Sequence, residues 1–142
     1  MSDLAVNVEY SDNVRFVAST RTHIVVCDQP PEHGGTDEGM TPPELLLASL
    51  GTCAAYYAVQ YLKIRKLPAT GVRVAVSAEK TKNPARIGSF VIDVNIPGDV
   101  PEHHVAGVSR AVHSCLIHNT LLHAPSIAIA IHAGQETNAT PA

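Results

Sequence analysis

The sequence predicts an α+β fold with the element order βββ-α-ββ-α-β. Three observations predict it. Short alternating apolar runs open the chain and recur after Gly71, as half-buried strands require. One long apolar run, Leu45 to Leu62, separates them and has Ser49, Thr52 and Gln60 as its clearly polar side chains. A second helix-length segment, about Val100 to His123, carries a narrow apolar stripe at spacings of three and four. No internal repeat or linker divides the chain. It reads as one domain over 1–132, long enough to bury ~70% of its unfolded surface. The tail 133–142 is small and polar and is expected to be disordered.

Taken in order, Leu4 to Tyr10 alternates Leu4, Val6, Val8 and Tyr10 against Ala5, Asn7 and Glu9, a half-buried strand. Ser11-Asp12-Asn13 turns it into a second strand, Val14 to Ser19, and Thr20-Arg21-Thr22 into a third, His23 to Cys27. Short connections make this an antiparallel meander. Gln29 to Met40, rich in Pro and Gly, is a loop placed to act as a lid or site wall ahead of the long helix. Thr41 and Glu44 form a capping-box pattern, with Pro42 and Pro43 where missing N–H donors cost little. A helix apolar on every side is buried on every side, so the central helix and its Cys53 are expected deep inside the fold. After Leu67-Pro68, Val72, Val74, Val76 and Ala78 alternate, as do Phe90, Ile92, Val94 and Ile96, giving a hairpin-like pair. Asp99 offers an N-cap with Glu102 three residues on. The helix that follows is read as continuous to His123, its stripe running Val105, Val108, Val112, Cys115, Asn119 and Leu122. Pro125 ends it, and Ser126 to His132 is a last apolar strand.

Composition excludes several classes of partner. The net charge is −3 and no basic cluster is denser than Lys63-Ile64-Arg65-Lys66, so neither nucleic acid nor an anionic membrane surface is expected. The central run reaches the ~18-residue lower edge of a membrane span. It is alanine-rich, is broken by Gly51 and Gln60, and has no second copy, which suits close packing by protein instead. No charged-then-apolar leader follows Met1, so a cytoplasmic location is expected, with three cysteines present as thiols.

Cys53 and Cys115 lie on the core-facing sides of the two long helices. Helix axes pack ~8–10 Å apart and a disulfide needs Cα atoms within ~7 Å, so pairing requires small neighbours. Gly51, Ala54, Ala55, Ala111 and Ser114 supply them. Spacing leaves two readings open: small buried hydrophobes, or a reactive pair. Cys27, in the third strand, reads as structural. A metal reading would use Cys115 and His118, three apart, with Cys53. Against it, His113, His118 and His123 are five apart and diverge by ~140° along one helix, so no metal is assigned.

Gly34-Gly35, Gly39 and the run Pro43 to Cys53 resemble the OsmC/Ohr superfamily of organic-hydroperoxide and stress proteins. Cys115, Asn119 and the apolar segment after Pro125 continue the likeness, which covers nearly the whole chain to about His132. The resemblance implies an intertwined homodimer with the central helices packed between sheets. It also implies thiol-peroxidase chemistry at the subunit interface, in which Cys53 attacks an organic hydroperoxide and Cys115 resolves the sulfenic acid. In the family's peroxidases, an arginine held by a glutamate lowers the thiol pKa. The family's Gly-Gly-Arg-Asp-Gly segment is absent here, and Arg15 is the nearest candidate, with Arg21 behind it. Counted back from Cys53, the family glutamate falls at Pro43, and Glu44 comes one residue late. The ~900° between Glu44 and Cys53 puts them on roughly opposite faces, so Glu44 suits capping more than support of the thiol.

These residues point to a thiol-dependent hydroperoxide reductase with Cys53 and Cys115 catalytic, Arg15 activating and Glu44 supporting. Leu45, Leu46, Tyr56, Tyr57 and the Gln29–Met40 loop are the expected pocket walls. No bound cofactor is expected, and an external dithiol would return the disulfide to thiols. The alternative is a non-enzymatic module holding a small hydrophobic ligand at the dimer interface, with inert cysteines.

Overall fold

The computed structural model describes residues 3–134. Strands β1 (Asn7–Asp12), β2 (Arg15–Thr20) and β3 (His23–Cys27) form an antiparallel sheet in that order. Asn13 and Arg21, at φ 50° and 53°, make the two tight turns. β1 starts three residues later than the sequence pattern suggests and pairs Asn7 with Ser19 through Asp12 with Arg15, with an irregularity after Tyr10. It is not half-buried: every residue of β1 is exposed, because no other element among the described residues covers it.

The central helix α1 (Pro42–Ile64) begins with the expected capping box. Its Thr41 N–H donates to Glu44 Oε1 at 2.9 Å, and the Glu44 N–H donates to Thr41 Oγ1 at 3.4 Å. These bonds from Thr41, first its backbone and then its side chain, hold the Glu44 carboxyl below its usual pKa. The helix is long and apolar enough to cross a membrane by length and composition. Within this chain it buries one stripe rather than its whole surface, at Leu50, Ala54, Ala58 and Leu62, spaced four apart. Tyr56, on another face, is 60% exposed. A single chain supplies cover for one side only. Gly51 lets the helix approach the next sheet, since a Cβ there would meet Val76 Cγ2 at 2.9 Å.

That sheet is the hairpin β4 (Arg73–Thr81) and β5 (Arg86–Asn95), with Val74 opposite Val94 and Val76 opposite Ile92. Its alternation is the expected one, with Val74, Val76, Ile92 and Val94 turned inward. Helix α2 (Glu102–Val112) lies against α1, and Ala58, Leu62 and Val108 form the buried core, bordered by Val72, Val94 and Ile96. Burying Leu62 fully contributes about 2–3 kcal/mol.

Three expectations about the second half are corrected. Asp99 does not cap α2; Pro101 stands at the N-cap with no side-chain bond, its φ of −57° and ψ of 146° ending the extended approach. The helix is not continuous to His123. Cys115 is extended, at φ −56° and ψ 129°, and a separate helix α3 (Leu116–Leu122) starts from it. The segment Ser126–His132 is not a strand, because among the described residues no edge of either sheet pairs with it, and a strand without a partner satisfies no backbone bonds. Ile127, Ile129 and Ile131 are consequently 83–85% exposed. The tail expected to be disordered lies, from Gln135 onward, outside the described residues.

Candidate functional site

The break between α2 and α3 builds the site. Val112 ends α2, the chain straightens at Cys115, and the Cys115 side chain turns inward to full burial instead of riding on a helix stripe. There its Sγ accepts the backbone N–H of His118 at 3.4 Å, acting as the cap of α3. Cys53 on α1 is its side-chain neighbour. Burial first, and the neighbouring Cys53 thiol second, push the Cys115 thiol above its ordinary pKa, against the opposing pull of the His118 N–H. Cys53 itself is half-buried rather than deep in the fold. Both are free thiols, as is Cys27 at the end of β3. The fold thus brings Cys53 and Cys115 together, although by a different local geometry from a helix stripe.

The same break brings His113 and His118 together. Their rings meet edge to face, 5.4 Å apart, whereas a continuous helix would have turned them apart. His113 Nδ1 bonds the Ser109 carbonyl at 2.7 Å. His118 Nδ1 is buried and has no hydrogen-bond partner among the described residues. Both rings line a cavity of about 790 Å³ between β5 and the two short helices, whose walls are otherwise mainly apolar, including Phe90, Ile92, Val105, Val108 and Leu121. A second cavity, of about 490 Å³, lies between the start of α1 and β4, lined by Met40, Glu44, Leu47, Thr52 and Val76. Met40 ends the loop expected as a wall, but Leu45, Leu46, Tyr56 and Tyr57 line neither cavity. Tyr56 and Tyr57 pack against each other edge to face, at 5.4 Å. Among the described residues, no three His, Cys, Asp or Glu side chains are placed to hold a metal ion.

Arg15 is half-buried and is held by the loop and by β1, not by the helix. Its Nε lies 3.5 Å from Glu38 Oε1, and its Nη1 donates to Ser11 Oγ at 2.7 Å. Glu38 in turn accepts from Thr36 Oγ1 at 2.6 Å. The loop's shape is set by Asp28, whose carboxylate is 1% exposed. It accepts the backbone N–H of Gln29, Thr36 and Glu38 at 2.7, 3.3 and 3.0 Å, and the Thr36 hydroxyl at 3.1 Å. Those backbone donors, Glu38 first, hold its carboxyl below its usual pKa against the opposing cost of burial. Glu44 is engaged by Thr41, its hydrogen bonds being those of the helix cap. Sequence reading missed Asp28, Glu38 and the His113–His118 contact. An acidic residue closing a strand just before a Pro- and Gly-rich loop was a usable signal for Asp28, because such loops leave several N–H groups in need of an acceptor. No local pattern announces the other two.

With the fold and the thiol pair in place, the relatives are informative. The OsmC-like protein family matches residues 35–130, and the chain belongs to that family. The fold is shared with an OsmC-like protein from Mycoplasma pneumoniae, at 17% identity and a TM-score of 0.75 over 87% of this chain and 89% of the other. A protein from Psychrobacter arcticus named for osmotic-stress induction and a detoxification response superposes with a TM-score of 0.77 at 16% identity, over 84% and 89% of the two chains. An organic hydroperoxide resistance protein from Legionella pneumophila does so at 0.64 and 16%, over 85% and 91%. No curated protein matches the chain in sequence.

Proposed function

We propose that the protein is a cytoplasmic, homodimeric thiol peroxidase that reduces organic hydroperoxides in the response to oxidative stress. One observation carries the reading: in a member of the OsmC-like family, two thiols 62 positions apart in sequence are side-chain neighbours, Cys115 buried and Cys53 half-buried. The Cys53 thiolate attacks the distal peroxide oxygen, the O–O bond breaks, and the alkoxide leaves as alcohol after protonation. Sulfur is oxidised to sulfenic acid as the peroxide is reduced. Cys115 then attacks the Cys53 sulfur, forming the disulfide and releasing water. An external dithiol restores both thiols by exchange, leaving as its own disulfide. Arg15, held by Glu38, is the cation assigned to stabilise the Cys53 thiolate. The uncovered faces of β1 and α1 and the unpaired Ser126–His132 segment support a second copy as the partner that completes the fold.

Mass spectrometry after one equivalent of an organic hydroperoxide tests this on wild type and Cys115→Ser. A Cys53–Cys115 disulfide in the first and sulfenic acid at Cys53 in the second are expected. Unmodified thiols in both would remove the reading. The cavity of about 790 Å³ favours a second one, a module that holds a small apolar ligand with its cysteines inert. Unreactive thiols together with a ligand retained through purification would select it.

A further inference from the structure

The larger cavity, of about 790 Å³, falls within the ~300–1,000 Å³ range of sites that hold small molecules. Leu50, Phe90, Ile92, Val94 and Val108 make the greater part of an apolar wall. Its polar side chains are Ser89 on β5 and, at the α2–α3 break, Ser109, His113 and His118. Neither Cys53 nor Cys115 lines it, so it can be occupied whether or not the thiols react.

The polar end selects for a particular chemistry. His113 and His118 are the titratable side chains on the wall and no carboxylate joins them, so any charge the wall carries is positive. Their ring centres lie 5.4 Å apart, near enough for one two-oxygen head group to reach both. Hydrogen-bonding capacity is also left over. His118 Nδ1 is buried without a partner among the described residues, an arrangement that costs stability. His113 commits Nδ1 to the Ser109 carbonyl at 2.7 Å, which leaves Nε2 as its free nitrogen. His113 is exposed, His118 half-buried and Leu50 buried, so a molecule lying along the cavity has its head near the surface and its tail inside.

We propose that this cavity binds an apolar carboxylic acid of the medium-chain fatty-acid class, its carboxylate held by His113 and His118 and its chain by the wall that α1, β5 and α2 build. The proposal rests on the apolar-cavity reading above and not on reactive thiols. Recognition is divided between the two ends. The apolar wall supplies affinity for any chain of fitting size, and the imidazoles distinguish an acid from a neutral molecule of the same length, because a hydrogen bond to a charged group is roughly twice as strong as one to a neutral group.

Isothermal titration calorimetry with two probes of one chain length, decanoate and decan-1-ol, tests this on the full-length protein with its thiols reduced. Wild type is expected to bind decanoate more tightly than decanol. The double variant His113→Phe/His118→Phe keeps two aromatic rings in place and removes their nitrogens. It is expected to lose roughly 10- to 100-fold in decanoate affinity, the scale of a hydrogen bond to a charged group, and to lose far less for decanol, which shows that the apolar wall is intact. Cys53→Ser is expected to leave decanoate binding in place. Equal affinity of wild type for the two probes, or decanoate binding that survives the double substitution, would overturn the proposal and leave the apolar-cavity reading standing. Failure of both probes to bind would overturn both. Amide protection at Phe90 and Leu121 that grows with protein concentration would then identify a second copy of the chain as the occupant.

Discussion

In the β4–β5 hairpin, Val74, Val76, Ile92 and Val94 turn toward the helices and are partly buried, while in β1 Val8 and Tyr10 remain 63% and 65% exposed. Both strands alternate with a period of two, and in both the pattern marks a face that gains by being covered. The difference lies in what arrives. α1 and α2 lie against the hairpin, whereas the three-stranded sheet is tied to the rest through the Asp28–Met40 loop, for example by the Asn13 side-chain amide donating to the Gly34 carbonyl at 2.7 Å. Alternation therefore reports that a face wants cover but not which chain provides it. The exposed alternation of Ile127, Ile129 and Ile131 teaches the same lesson at the other end of the chain.

The sharpest way to break this comparison is a matched pair of truncations. Leu62→Ala, in the covered half, is expected to lower stability by about 2–5 kcal/mol in urea unfolding. Val8→Ala should cost well under about 1 kcal/mol at protein concentrations low enough to keep the chain monomeric, because exposed substitutions lie within roughly ±0.5 kcal/mol. A larger cost that grows with protein concentration would mean that a second copy covers β1.

Gly107→Ala comes next. A Cβ there would lie on top of the Tyr61 hydroxyl, so the substitution is expected to destabilise by about 1–3 kcal/mol although alanine is the better helix former. The crowding would also break the bond between Tyr61 Oη and His104 Nδ1, now 3.0 Å, which joins α1 to α2. Thr41→Ala, which removes a helix cap at the border of the two halves, should cost about 1 kcal/mol in the same assay.

Acid offers the smallest and most selective perturbation. Burial first, and then the positive charge on His103 and Arg65, lowers the pKa of His104. The unfolded chain thus binds that proton more readily, so this group's contribution is complete above pH 6.5 and declines as pH falls from 6.5 through the lower folded value. Asp28 is also lowered, but its contribution is complete above pH 3.8 and is lost only as pH falls further. Acid titration followed by amide exchange should therefore loosen the α1–α2 contact first and the Asp28 loop later. The reverse order would show that the loop, not the helix pair, is the weaker half.

The capping box at Thr41 and Glu44, the inward faces of β4 and β5 and the loop before α1 were all legible, because each depends on side chains within a few residues of one another. The break at Cys115 was not. The run Val105, Val108, Val112, Cys115 is a sound helical stripe, and nothing local weakens it. Where the helix breaks, Cys115 caps a new turn by accepting the His118 N–H, and its neighbour Cys53 comes from a helix 62 positions earlier in the chain. The Arg15–Glu38 pair was hidden for a similar reason: it crosses from strand to loop and depends on the hub that Asp28 makes.

By itself, then, the sequence determined the element order, the covered face of the hairpin, the start of the central helix and the two cysteines worth watching, since periodicity and capping are short-range effects. Only the tertiary structure decided that α1 buries a single stripe, that His113 and His118 meet, and that the last apolar segment goes unpaired within the chain. Those outcomes depend on which surfaces reach one another across long separations in sequence, and local propensity carries no information about that.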